Sequence, residues 1–241
     1  MDRLENFILE NFKIDKNVLD YALKCEKEIE NKFDEIDRIT EYNQLKVLKA
    51  MQKNKLSDAH FASTTGYGYN DLGRDTLEQI YADIFHAESA LVRPQIISGT
   101  HALTVALAGN LRPGDEILSP VGIPYDTLQG VIGIREEKGS LKEYGITYRQ
   151  VDLLPDGSFD YEGIKKAINE KTKLVTIQRS KGYEWKESLP IEKTAELIKF
   201  VKSIKPEVIC MVDNCYCEFV DYIEPTDVGA DLAVGSLIKD P

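Results

Sequence analysis

Much that would point to common function classes is scarce or missing from this chain of 241 residues. No apolar run approaches the ~20 residues that a bilayer-crossing helix needs, and charged residues make up 29% of the sequence. The opening M-D-R-L-E-N-F has no basic segment followed by an apolar stretch, so no secretory leader is read there and the cytoplasm is the expected compartment. Positive charge is in deficit: 30 Lys and Arg face 41 Asp and Glu, a net −11. That balance argues against a nucleic-acid surface, which needs clustered basic side chains. Cysteine is sparse, at Cys25, Cys210, Cys215 and Cys217, and the zinc spacing C-x2-C is absent, so neither a disulfide framework nor a metal site is expected. G-x-x-x-x-G-K-[ST] and G-x-G-x-x-G are missing too, which removes the two common nucleotide fingerprints.

What remains is an α/β pattern. Apolar residues are 42% of the chain, enough for one large domain or two small ones. Residues 1–55 carry apolar positions at helical spacing (Leu4, Phe7, Ile8, Phe12, then Val18, Leu19, Ala22, Leu23) and read as two or three helices forming an N-terminal arm. From 56 to 241 strands and helices alternate. Strands are expected at 90–97, 116–119, 147–151, 173–178, 208–212 and 232–238, and helices over 75–87, 161–169 and 191–204. Such alternation implies a mainly parallel sheet with right-handed crossovers.

Two short apolar runs near the C-terminus deliver chemistry at their ends. Residues 208–212 lead into Asp213, and 232–238 lead into Lys239. An acid and a lysine at the ends of neighbouring buried strands suit pyridoxal 5'-phosphate (PLP): the lysine condenses with the aldehyde, and the acid keeps the pyridine nitrogen protonated. The same pair also suits a strand-end acid and a solvated lysine in any α/β protein. Ser236 is placed to hydrogen-bond a phosphate, and so is S-G-T-H-A, 98–102, where a strand is expected to pass into a helix. There the free N–H groups of Gly99, Thr100 and His101 would face the dianion. Tyr125, in the loop after 116–119, is a candidate to stack on the ring. Arg179 and Lys181, at the carboxyl end of the 173–178 strand, are read either as ligand-facing or as solvated.

The segments D-N-C-Y-C-E-F and G-S-L-I-K-D-P resemble the methionine γ-lyase, or aluminium-resistance, family of fold-type I PLP enzymes, over most of the chain from about Tyr42. The resemblance implies a three-layer α/β/α aminotransferase-like large domain. It also implies PLP as cofactor, Lys239 and Tyr125 as catalytic residues, and carbon–sulfur lyase activity, by γ- or β-elimination, on a methionine- or cystathionine-like amino acid. Tyr67, Tyr69 and Arg74, in the glycine-broken loop 61–74, are by the same resemblance candidates to reach a neighbouring subunit of a homodimer or homotetramer. As a general base Lys239 would need its pKa lowered. The family pattern has glycine where this chain has Cys217. It also continues past Lys239 into a smaller C-terminal domain bearing an arginine for the substrate carboxylate, so a fragment lacking that domain is expected. The alternatives at this point are another fold-type I enzyme, such as an aminotransferase, and a remnant without turnover.

Overall fold

The computed structural model describes residues 3–67 and 69–239. The chain divides into two compact units, Met1–Leu45 and Lys46–Pro241. In the first, α1 (Arg3–Phe12) is followed by α2 (Lys16–Glu28) and by the start of α3 (Glu30–Lys53), which runs on into the second unit. Asp15 caps α2 by accepting the Asn17 N–H, and the pairs Lys16–Asp20, Lys24–Glu28 and Lys32–Glu35 lace the exposed faces at one-turn spacing. Among the described residues no helix is long and apolar enough to cross a membrane.

The second unit is built on five parallel strands: β1 (Glu116–Ser119), β2 (Thr147–Gln150), β3 (Thr172–Gln178), β4 (Ile209–Asp213) and β5 (Leu232–Val234), in the order β2-β1-β3-β4-β5. α5 (Gly99–Asn110), which leads into β1, and the crossover helix α6 (Asp126–Ile132) lie against one face, and the crossover helices α7 (Tyr161–Ala167) and α8 (Ile191–Ile204) against the other. The period of two in the pleat sorts the central strands between these layers. Ile117, Leu174 and Met211 pack with Leu103, Leu107 and Leu128, whereas Leu118, Val175, Ile177, Cys210 and Val212 pack with Leu197 and Val201. Because both faces are covered, β1, β3 and β4 are buried almost without a break along their length, as parallel strands are. The fold is α/β in three layers. A third cluster joins the last turns of α3, through Val47, Ala50 and Met51, to Ile80 and Ile84 of α4 (Leu72–Ile84) and to Phe219.

The strand expected at 90–97 is not formed. That segment turns instead, with the Ile96 N–H donating to the Arg93 carbonyl at 3.0 Å. A strand needs a partner ladder, and Pro94 offers no N–H for one. The edge strand β5 lies across a cleft of about 580 Å³, with Leu91, Val92 and Ile96 on one wall and Leu232, Val234 and Gly235 on the other. The run expected at 232–238 is also shorter than its apolar letters suggest. It leaves the sheet after Val234 and turns, with the Lys239 N–H donating to the Ser236 carbonyl at 2.9 Å.

Leu174 is fully buried at the centre of the sheet, so Leu174→Ala should lower unfolding free energy by ~2–5 kcal/mol. Urea denaturation followed by circular dichroism measures this; a loss under ~1 kcal/mol would contradict the packing described.

Candidate functional site

β4 ends by burying Asp213. The Asn214 N–H still donates to the Val234 carbonyl at 2.8 Å, so the strand leaves the sheet just past the acid, which is paired in register with Val234. The Asp213 carboxylate accepts the Cys215 N–H at 3.1 Å, and among the described residues no lysine or arginine forms an ion pair with it. Burial holds its carboxyl above the usual carboxylate range, and hydrogen bonds from the Cys215 thiol and amide oppose that shift. The Cys215 thiol is in turn pushed up, by burial first and then by Asp213.

The chain after Asp213 takes a conformation that its residue types disfavour. Tyr216 (φ 70°) and Phe219 (φ 60°) both lie in the left-handed region, at a cost on the order of 1 kcal/mol each. Three side chains hold the segment there. Arg179, only 2% exposed, donates to Asn214 Oδ1 (2.8 Å), the Cys217 carbonyl (3.3 Å) and Asp221 Oδ2 (2.7 Å). Glu224 accepts from the Phe219 N–H (3.0 Å) and Asn214 Nδ2 (3.1 Å). Glu218 accepts from the N–H groups of Cys217 (3.1 Å) and Ser236 (2.7 Å), tying this loop to the start of the Lys239 turn. Arg179 is therefore neither solvated nor ligand-facing: its donors point into the protein. Lys181 sits over the exposed Trp185 ring at 5.7 Å. Where the family pattern has glycine, Cys217 is buried with an ordinary φ, and the left-handed residue is its neighbour Tyr216.

α5 begins beside this loop. Its N-cap Ser98 accepts the His101 N–H at 3.1 Å, and the His101 ring faces the Ile97 N–H at 3.4 Å. The His101 amide is thus engaged inside the helix start, whereas helix geometry gives Gly99 and Thr100 no intrahelical acceptor. The Thr100 hydroxyl shares a hydrogen with Thr127 at 2.8 Å. A Cβ on Gly99 would stand 3.2 Å from Cys215 Sγ and 3.3 Å from Ser236 Cβ, so glycine is what lets the helix start, the Cys215 turn and Ser236 meet. A helix N-terminus with a buried serine, next to a buried acid that has no ion pair among the described residues, fits a phosphate and a protonated ring nitrogen.

Three phenols complete the cluster. Tyr125 is held by its N–H, which donates to Gln178 Oε1 at 2.7 Å, and its hydroxyl donates to that of Tyr183 at 3.2 Å with the rings 5.6 Å apart. That bond, with burial second, pushes the Tyr125 hydroxyl up to about 12. Lys239 is exposed and donates to the Tyr216 hydroxyl at 2.6 Å, with its amine 4.5 Å from the ring centre. The Tyr216 bond raises the lysine pKa, opposite to the lowering that a general base needs. Tyr183 and Tyr216 escaped sequence reasoning. The usable signal for Tyr216 was its place two residues after the Asn214 that follows the strand-end acid; Tyr183 carried none. In the 61–74 loop Tyr67 and Tyr69 are exposed with rings 5.7 Å apart, and Arg74 pairs with Asp75 at 2.9 Å; these contacts lie outside the Asp213–Lys239 cluster, and Gly68 lies outside the described residues.

Removing the Arg179 fork leaves Asn214 and a buried carbonyl unpaired, so Arg179→Met should cost roughly 3 kcal/mol or more in urea unfolding. For Asp213 the sign is set by its raised folded-state pKa: its contribution is fully present below the unfolded value and is lost as pH rises through the folded value. Asp213→Asn should therefore match the parent chain in acid and melt roughly 2–4 °C higher at neutral pH. Melting curves across pH check this, and parallel curves for the two chains would contradict it.

Several known proteins resemble this chain. A family model described as methionine gamma-lyase matches residues 18–241. The Bacillus subtilis protein YnbB is 54% identical over 222 residues, covering 91% of this chain and 53% of its own length. The crystal structure of a carbon-sulfur lyase involved in aluminum resistance from Clostridium novyi NT is 50% identical with a TM-score of 0.93, covering 99% of this chain and 57% of that one. The pyridoxal-5'-phosphate dependent protein YhfS from Escherichia coli is 20% identical with a TM-score of 0.60, over 81% of this chain and 50% of that one, and shares the fold. The chain spans about half the length of the curated relative it matches at 54% identity. With a match from residue 18 to residue 241 and the strand-end acid, glycine cradle and lysine assembled in one place, the chain belongs to the methionine gamma-lyase family.

Proposed function

We propose that the chain carries the PLP-binding part of a carbon–sulfur lyase acting on a sulfur amino acid of the methionine or cystathionine kind. The observation that supports this most is the convergence of Asp213, the Gly99–Ser236 cradle and Lys239 on one segment, 213–218. The relatives' names and the family match support the reaction class.

Bound PLP supplies an aldehyde and an electron-accepting ring, which let a substrate carbanion form and a thiol leave. The chain's own residues do the rest. The Gly99 and Thr100 amides at the start of α5, with the Ser236 hydroxyl, bind the phosphate. Asp213, buried and without an ion pair among the described residues, would hold a proton on the ring nitrogen, and the acid's own burial cost would fall when that charge arrives. The Tyr125 ring would stack on the pyridine, and its hydroxyl would have to leave Tyr183 before it could donate to a departing thiolate. Lys239 supplies the amine. In the whole protein the active form is a homodimer or homotetramer in the cytoplasm, with the Tyr67, Tyr69 and Arg74 loop turned toward a second copy.

Adding PLP to the purified chain should give an absorbance band that Lys239→Ala abolishes, and Asp213→Asn should weaken binding on the order of tenfold, the worth of one ion-paired hydrogen bond. A band that survives Lys239→Ala would remove the lysine from its role. With the longer protein, release of thiol and 2-oxo acid supports the lyase, whereas exchange of the amino group would replace it with a transferase.

A further inference from the structure

The tightest contact that Lys239 makes is with Tyr216, a residue of the D-N-C-Y-C-E-F segment to which sequence reasoning assigned no role. Its Nζ lies 2.6 Å from the Tyr216 hydroxyl and 4.5 Å from the centre of the same ring, so both the oxygen and the π face of Tyr216 engage one amine. Tyr216 reaches it from a left-handed backbone (φ 70°), a conformation that a tyrosine keeps only when its surroundings impose it. They do: the Cys217 N–H returns to the Asn214 carbonyl at 2.7 Å, Arg179 fixes both of those residues, and Glu218 locks Cys217 to Ser236. Part of the loop's strain thus lies in the turn that joins the buried acid to the lysine's partner.

We propose that Tyr216 is a positioning residue for Lys239, holding its amine at the turn whose thiol lies against Gly99. The purpose of that hold rests on the reading of Lys239 given above; the contact itself does not. A lysine at the end of a short turn is otherwise free to swing into solvent, and one oriented acceptor cuts the side-chain entropy lost when an aldehyde arrives. The phenol oxygen accepts from the ammonium and favours the charged form, so the contact holds the amine in place and damps its reactivity together. The other titratable groups facing Lys239 are the Cys215 thiol and the Tyr183 hydroxyl.

Acetylation of the cofactor-free full chain by acetic anhydride, read at Lys239 by mass spectrometry against the exposed Lys138, tests the contact without any cofactor. Tyr216→Phe keeps the ring and the backbone conformation but removes the oxygen. Its Lys239 should acetylate ~3-fold faster at pH 8, with the whole pH profile displaced about half a unit downward, since one unit is tenfold. Tyr183→Phe should leave the profile in place. Equal profiles for Tyr216→Phe and the parent chain overturn the proposal. A failure of the lyase reading shows up separately, as a PLP band that is absent or indifferent to Lys239→Ala while the acetylation result still decides the role of Tyr216.

Discussion

The site depends on a buried guanidinium. Arg179 sits where β3 ends, with its own N–H donating to the Asp213 carbonyl at 3.1 Å and its side chain forked across Asn214, Cys217 and Asp221. Burying a cation is costly unless its donors find acceptors, and here these are two carbonyl-type oxygens and a carboxylate from one loop, with the Leu189 carbonyl taking the Nε–H. The desolvation cost of the charge is thereby coupled to a single conformation of residues 214–221. Without that coupling, two aromatic residues in the left-handed region would relax, and the geometry around Asp213 and Tyr216 with them.

Around this anchor the acids are arranged by task. Glu224 and Glu218 accept backbone and amide hydrogens and so hold the loop, while Asp213 accepts from Cys215 and has no ion pair among the described residues. Burial raises the pKa of both Asp213 and Glu224, but Glu224 has Asn214, the Phe219 amide and the Lys46 charge working against that shift. Among the described residues Asp213 has no such cation. That contrast is what the proposed pairing with a protonated ring nitrogen draws on, and the start of α5, with Gly99 packed against Cys215, lies one side chain away.

Part of this was legible in the letters. The alternating strands and helices, the acid at the end of 208–212 and the glycine in S-G-T follow from local rules of period, propensity and helix capping, and the structure places them as those rules require. Two expectations failed where local rules stop. Residues 90–97 have strand-like apolar content but meet no ladder across the cleft beside β5, and 232–238 leaves the sheet after three paired residues. Lys239 ends with a raised rather than a lowered pKa because a tyrosine from another turn reaches it.

By itself the sequence determined the α/β class and the helical start of the chain, and put an acid at the end of one strand and an amine soon after the next, because periodicity and strand-end position are carried by neighbours along the chain. Only the tertiary structure decided that Arg179 is an internal clamp, that His101 spends its amide on Ser98, and that Tyr216 meets Lys239 and Tyr183 meets Tyr125. Each of those outcomes turns on a hydrogen bond between a side chain and a group whose position is set by folding, and burial, which no single letter encodes, decides whether a charge there meets water or a partner.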